Sequence, residues 1–329
     1  MLSPPPGLPE RLLESVLARD WHLAVTSMSY LAVGAGSHHW EVTDARGARW
    51  FVTGDELHYK RDFAGEPLDA AFGRLRASLA TAVALRECGL GFVVAPVAAA
   101  GGAPAVRANE GFAVAVLPFV EGQSFSWGES FPLASRLAVT DMLAAVHTAP
   151  ATARRHAQRE DFSIPHRDEL ELALAADGAG PACGPYARSA GKLMADNAAG
   201  VRRQLDRYDK MTAAADPARL VITHGEPHPG NMMLAPSGWR LIDWDTVLLA
   251  QPERDLWSLD PGDGSVLAAY AAATGVTPRP ELLEMYAVLW DLKDIAVDLS
   301  RFRRPHRGDH DDDKCWRVLK MLVEQMGAG

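Results

Sequence analysis

Between Val221 and Asp255 the chain reads VITHGEPHPGNMMLAPSGWRLIDWDTVLLAQPERD. An apolar run, Leu220 to Thr223, feeds a polar loop that carries His224, Glu226, His228 and Asn231. Met232 to Leu234 and Arg240 to Ile242 are β-prone and flank a turn at Ala235 to Trp239, which predicts a hairpin. Symmetric pairing of that hairpin sets Asn231 opposite Asp243 at its open end, with a further carboxylate at Asp245. Two hard oxygen donors suit a divalent cation that keeps some of its waters and binds phosphate oxygens, as Mg²⁺ does. Glu226 precedes Asn231 by five residues on the same loop, where it can take a proton from an attacking hydroxyl. A metal clamp, a positioned base and little covalent chemistry are what phosphoryl transfer requires.

His224-Gly225-Glu226-Pro227-His228-Pro229-Gly230-Asn231 and Ile242-Asp243-Trp244-Asp245 resemble the aminoglycoside phosphotransferase and choline-kinase-like family. Its loop reads H-G-D-x-x-x-x-N and is followed by I-D-[WF]-[DE]. The resemblance implies an α+β, two-lobe, protein-kinase-like fold, with a small β-rich N-lobe over residues 1–120 and a larger, mainly helical C-lobe over 121–329. It implies ATP or GTP as phosphoryl donor and Mg²⁺ as the metal. By motif position, Glu226 is the catalytic base and Asn231 and Asp243 are the Mg²⁺ ligands. His224 supports the loop within the catalytic set, and Asp255 anchors it from the next helix.

Two departures stand out. The family's base is Asp, and Glu226 extends the carboxylate by one methylene, which still permits proton abstraction. The family also carries a lysine on the third N-lobe strand, which holds the α/β-phosphates and pairs with a helix glutamate. Here that strand reads Arg49-Trp50-Phe51-Val52-Thr53, with Thr53 at the lysine position. Lys60, Arg61 and Arg49 are the nearby cations, and the sequence singles out none of them. The turn Gly34-Ala35-Gly36-Ser37-His38-His39 presents backbone N–H groups that can cover phosphates, although a tight hairpin explains its glycines equally well. Gly34, Gly36, Ser37 and His38 are therefore nucleotide candidates together with Thr53. Leu117-Pro118-Phe119-Val120 falls where the family's hinge meets the adenine edge, which adds Leu117 and Phe119; the competing reading is an ordinary apolar linker.

The elements that must position these groups follow from periodicity. A helical pattern over Pro9 to Ala18 precedes a strand at Leu23 to Val33. His39 to Thr43 and Ala48 to Thr53 are strands joined by the hairpin turn Asp44-Ala45-Arg46-Gly47. Apolar residues at helical spacing predict a helix over Leu68 to Cys88, stopped by Gly89. Phe92 to Val97 and Phe112 to Leu117 complete five strands. Helices then take over, at Leu133 to His147, at Ala190 to Ala214, and from Ala268 onward with a charged break at Arg303 to Lys314.

Met285 to Phe302 is amphipathic, and Asp291, Asp294 and Asp298 share one arc at the margin of its apolar side. The resemblance implies that acidic residues of the helical lobe receive ammonium groups, so these three and Asp245 are the substrate candidates. Arg301 on the same arc is a competing partner for them. Asp309 to Asp313 reads as an exposed acidic loop, and Trp127 reads as core by spacing, with the wall of a ligand site as the alternative.

The 33 Lys and Arg against 42 Asp and Glu give a net charge of −9. That balance argues against nucleic acid and anionic membranes as default partners and leaves room for a small cationic molecule. Three widely spaced cysteines suggest neither disulfides nor a zinc knuckle, and no signal peptide or membrane span is legible, so a cytoplasmic location is expected. The expected function is phosphorylation of a hydroxyl on such a molecule, foremost an antibiotic. Two alternatives stay open: a small-metabolite kinase, and a pseudokinase binding protein that lost transfer along with the lysine.

Overall fold

The computed structural model of the chain describes residues 1–34, 36–175 and 183–328. Its elements begin with helix α1 (Glu10–Trp21), strands β1 (Val25–Leu31), β2 (His38–Asp44) and β3 (Arg49–Glu56), and helix α2 (Leu68–Glu87). Strands β4 (Val106–Arg107), β5 (Phe112–Pro118) and β6 (Gln123–Ser124) follow, then α3 (Leu133–His147) and β7 (Gln158–Arg159). Three helices come next, α4 (Arg167–Ala175), α5 (Ala187–Asp196) and α6 (Ala198–Met211). Strands β8 (Val221–Thr223), β9 (Met232–Ala235), β10 (Gly238–Leu241) and β11 (Leu248–Ala250) precede α7 (Glu253–Leu256) and α8 (Ser265–Thr274). The chain closes with α9 (Pro280–Phe302) and α10 (His310–Ala328). An antiparallel sheet near the N-terminus and a helical C-terminal region make this an α+β chain. It packs as two compact units. The first comprises Met1–Lys60, Pro67–Glu160 and Asp216–Arg279; the second comprises Arg61–Glu66, Asp161–Ala215 and the chain from Pro280 onward.

In the first unit the strands run in the order β1-β2-β3-β5-β4. Alternation along each strand gives the sheet two apolar faces. Trp40, Val42, Val52, Val114 and Val116 pack on Leu13, Val16 and Leu17 of α1. Ala113 and Ala115 face the other way, onto Leu75 and Leu79 of α2. Each fully buried Leu or Val contributes about 1.5–3 kcal/mol, so both helices are fixed to the sheet by their apolar stripes. The turn between β2 and β3 forms as its residues predict: Asp44 Oδ1 accepts the Arg46 and Ala48 N–H groups at 2.8 and 3.0 Å, and Gly47 takes φ 78°.

The fifth strand is not the expected one. Phe92 to Val97 makes a single bridge, Val93 with Leu241, and the sheet edge is instead Val106–Arg107 paired with β5. Proline at 96 cannot donate to a ladder, and the main-chain groups of Phe92 and Val94 bond Leu241 of the hairpin β9–β10 instead. A further core joins Leu85, Val139, Leu143, Val146, Ile222, Met232, Leu241 and Trp244. It ties α2 and α3 to the hairpin β9–β10, whose register is Met232↔Leu241 through Ala235↔Gly238.

The second unit is helical, with α9 packed on α4, α6 and α10. The single helix expected over Ala190 to Ala214 is two, because the Asn197 side chain donates to the Leu193 carbonyl at 2.9 Å and ends α5. The acidic run is also not an exposed loop. Asp309 accepts the Asp312 N–H at 3.0 Å, while Asp312 accepts the Asp309 and Gly308 N–H groups. This reciprocal cap starts α10. Among the described residues no helix is long and apolar enough to cross a membrane.

Candidate active site

Strand β8 delivers His224 into the core, fully buried. Its Nε2–H donates to the Ile242 carbonyl at 2.9 Å, and its Nδ1 accepts the Glu226 N–H at 3.2 Å. Burial lowers its pKa, which suits a neutral ring donating at one nitrogen and accepting at the other. His224 is thus a positioning residue that ties the loop to the hairpin, and not a group open to substrate. Gly225 takes φ 101°, and a Cβ there would overlap the Arg254 guanidinium. That guanidinium is itself fixed to Thr223 Oγ1 at 2.8 Å and the Thr246 carbonyl at 2.9 Å.

Asp255 anchors the loop from α7. Its carboxylate accepts the His224 N–H at 2.8 Å, the Gly225 N–H at 2.6 Å and His147 Nε2–H at 3.0 Å. Burial alone would raise its pKa, but the His147 bond and the charge of Arg254 outweigh burial and hold it below the ordinary value. His147, at the end of α3, is in turn fixed by the Tyr270 hydroxyl at 2.8 Å. Nothing in the sequence marks His147 for this role, since its partner is 108 residues away.

The loop closes on Asn231, whose amide nitrogen donates to the Glu226 carbonyl at 2.9 Å. Its own carbonyl accepts the Ile242 N–H at 3.0 Å, so Asn231 and Asp243 stand at the open end of the hairpin. Asp243 takes φ 63°, a conformation a non-glycine residue rarely holds. Crowding by protein, then the negative charge of Asp245 and Glu226, push its pKa well above the ordinary range, although its side chain keeps solvent access. Among the described residues no group of three or more His, Cys, Asp or Glu gathers to hold a metal. The oxygen donors that could hold a cation at this end are the Asn231 amide and the Asp243 carboxylate. Two oxygen donors fit Mg²⁺, which takes its remaining ligands from water and phosphate, and a cation there would relieve the charge crowding at Asp243.

Glu226 is half-buried, with Oε2 3.7 Å from His228 Nε2. Trp127, 61% exposed, stands edge-on to the His228 ring with centroids 6.1 Å apart.

The nucleotide candidates separate. Gly34 and Gly36 both take positive φ, 71° and 85°, while Ala35 between them lies outside the described residues. Ser37 is buried, and its hydroxyl donates to Asp55 Oδ1 at 2.7 Å. His38 is a correction: it is buried at 4% exposure, its Nδ1 is 3.0 Å from the Tyr30 hydroxyl, and Trp40 and Phe112 surround it. Strand alternation turns it into the α1 core and brings His39 to the other face. Thr53, paired with Ala115 and His39, offers no charge. Leu117 pairs with Phe51. The Phe119 N–H is bonded to the Arg49 carbonyl at 3.3 Å, and its ring lies 3.8 Å under the Arg49 guanidinium, so that N–H is not left for an adenine edge.

Asp245, expected as a substrate contact, is an ion-pair partner, with Oδ2 2.5 Å from Lys60 Nζ. Lys60 stays charged: burial opposes it, but Asp245 and Asp55 outweigh burial and raise its pKa.

Asp291, Asp294 and Asp298 stand on α9 of the second unit. Burial raises Asp291 and pushes Asp298 up to about 6 against a hydrogen bond from Cys315. Asp298 therefore lies against Cys315 of α10. Arg301 pairs with Asp312 at 2.6 Å, and its charge also acts on Asp298.

Residues 28–291 match the profile of the phosphotransferase enzyme family. Protein StrN of Streptomyces griseus is 33% identical over 260 residues, covering 74% of this chain and 76% of that one. The fold is similar to that of spectinomycin phosphotransferase APH(9)-Ia, solved with ADP and spectinomycin, at TM-score 0.69 and 15% identity over 97% of each chain. A microcompartment-associated aminopropanol kinase gives TM-score 0.60 at 15% identity, over 97% of this chain and 96% of that one.

Proposed function

Because the chain belongs to the phosphotransferase enzyme family, we propose that it transfers the γ-phosphoryl group of ATP or GTP to a hydroxyl of a small cationic antibiotic. The observation that carries this is the loop from His224 to Asn231, which presents Glu226 beside the Asn231–Asp243 hairpin end and is held there by Asp255. Glu226 accepts the proton of the acceptor hydroxyl as that oxygen attacks. Asn231 and Asp243 hold Mg²⁺, which when bound neutralises charge on the phosphate oxygens. His224 keeps Glu226 in register by accepting its N–H. The enzyme works in the cytoplasm.

A small amino alcohol as acceptor is the second reading, favoured by the structural likeness to the aminopropanol kinase. The test is transfer from γ-labelled ATP and GTP with Mg²⁺ to a panel of aminoglycosides, spectinomycin-like aminocyclitols and amino alcohols. Glu226→Gln is expected to lower kcat by about 10²–10⁴-fold with the nucleotide Kd little changed. Transfer that survives Glu226→Gln at the wild-type rate rules out the assigned base. Absence of nucleotide binding to the wild type rules out the phosphotransferase reading.

A further inference from the structure

Thr53 leaves the third strand without the positive charge that a triphosphate needs. The structure offers that charge from another place. Lys60 lies four residues beyond the end of β3, in a turn closed by its N–H on the Leu57 carbonyl at 3.2 Å. Its own carbonyl is held by Arg74 of α2 at 2.8 Å. The turn folds the side chain back, so that Nζ stands 3.1 Å from Asp55 Oδ1, 2.5 Å from Asp245 Oδ2 and 3.4 Å from Ser37 Oγ. Asp55 and Thr53 are two residues apart on one strand and share its face. Lys60 thus brings an ammonium to the face on which a lysine at position 53 would project, beside the segment that carries Asp243.

The orienting partner has moved with it. The acidic residues of α2 are Asp69 and Glu87, at its two ends, and mid-helix Ser78 donates instead to the Val247 carbonyl at 3.2 Å. A carboxylate on β3 itself, Asp55, takes the orienting role. Arg49 does not compete, because its guanidinium is held by Glu41 and Glu121.

His39 faces the same side. Its ring lies against Phe51 with centroids 4.9 Å apart, its Nε2 lies close under Gly34, and among the described residues its buried Nδ1 has no hydrogen-bond partner. A cation, the Ser37 hydroxyl and this imidazole therefore converge beneath the glycine turn.

Resting on the phosphotransferase reading above, we infer that Lys60 is the cation that binds the nucleotide phosphates, delivered from the turn after β3 and oriented by Asp55 and Asp245. Its three N–H donors are all engaged. The long contact to Ser37 is the weakest of them and is the one a phosphate oxygen replaces.

The test uses the wild-type protein first. Adenosine and guanosine triphosphate analogues carrying a γ-acyl phosphate acylate the lysine amine nearest the phosphates, and mass spectrometry reads the site. The expected label is on Lys60 and is suppressed by excess Mg·ATP or Mg·GTP. In parallel, Lys60→Gln should weaken Mg·nucleotide binding about 10- to 100-fold, the loss of one charge-assisted donor. Adenosine or guanosine affinity should stay unchanged, and Lys60→Arg should recover part of the loss. Competed labelling at another lysine, or a wild type that binds Mg·nucleotide without labelling at Lys60, overturns the inference and leaves the phosphotransferase reading standing. So does equal Mg·nucleotide affinity in wild type and Lys60→Gln. A wild type that binds neither nucleotide overturns both. Should Lys60→Gln fail to fold, the labelling of the wild type decides.

Discussion

At the scale of single residues, His38 and His39 show how one step along a strand divides two chemically identical side chains. His38 joins the α1 core and is fixed by Tyr30. His39 lies against Phe51 on the face that carries Asp55 and Lys60, and its pKa is lowered to about 4. Burial is the main cause; the positive charges of the N-terminus, Lys60 and His38 add to it, and Asp55 opposes them. A histidine whose folded pKa lies below its unfolded value of 6.5 contributes its full stability above that value. The contribution is lost as pH falls toward 4, because only the unfolded chain takes up the proton. Between about pH 7 and pH 5 the loss from this residue amounts to about 2 kcal/mol. Asp298, pushed up to about 6, works in the opposite sense over the same window, so the wild type alone does not isolate the effect. The comparison that does is with His39→Phe, which keeps the ring contact and removes the titration. Urea midpoints at the two pH values should show the wild type losing about 2 kcal/mol more than the variant. Parallel losses would mean that His39 is not the group responsible.

At the scale of elements, the loop from His224 to Asn231 is a short segment held at three places: by β8, by the hairpin β9–β10, and by Asp255 of α7. Removing the Asp255 carboxylate strands two backbone N–H groups and His147 in a dry interior. Each unsatisfied buried group costs about 1–3 kcal/mol. Asp255→Ala is therefore expected to lose about 3–5 kcal/mol of stability, read as a lowered urea midpoint, whereas Asp255→Asn keeps one acceptor and should lose less. Equal stability of Asp255→Ala and wild type would remove Asp255 from this role. The contrast between loop and anchor also explains what the sequence could disclose. The loop, the hairpin register and the helix Leu133–His147 were legible because their determinants lie within a few residues of one another. The Asp255–His147 bond was half legible: the aspartate stands in a recognisable motif, but its partner is 108 residues distant. The strand expected at Phe92 to Val97 failed for the same reason. Its composition suits a strand, but the main-chain groups of Phe92 and Val94 bond Leu241, and among the described residues of this run only the Val97 N–H reaches the large sheet, at Val116. Lys60 was visible only as one of three cations, since nothing local states that a turn returns its ammonium to the strand it has just left. The helix break at Asn197 was misread because a single side-chain bond to Leu193 outweighs the favourable residues on either side.

At the scale of the whole molecule, the excess of 42 acidic over 33 basic residues bears on which acceptors reach the site. The field of such a surface raises the local concentration of cations and repels anions. The acidic excess is not all available for this, because several carboxylates are spent internally: Asp312 on Arg301, Asp255 on His147, and Asp55 and Asp245 on Lys60. What remains still distinguishes a cationic from a neutral acceptor by its response to salt. Exposed charges are screened over about 10 Å at 0.1 M ionic strength and about 3 Å at 1 M. For a polyamine-bearing antibiotic or an amino alcohol, kcat/KM should fall several-fold between about 20 mM and about 0.5 M salt. The same rise should leave kcat at saturation nearly unchanged, because steering acts on encounter and not on the chemical step. Measuring both constants for one cationic acceptor and its N-acetylated, neutral counterpart separates recognition of charge from recognition of shape. If the two acceptors show the same flat salt profile, the acceptor is chosen by its hydroxyl geometry alone, and the cationic part of the proposed function falls while its proposal of phosphoryl transfer is untouched.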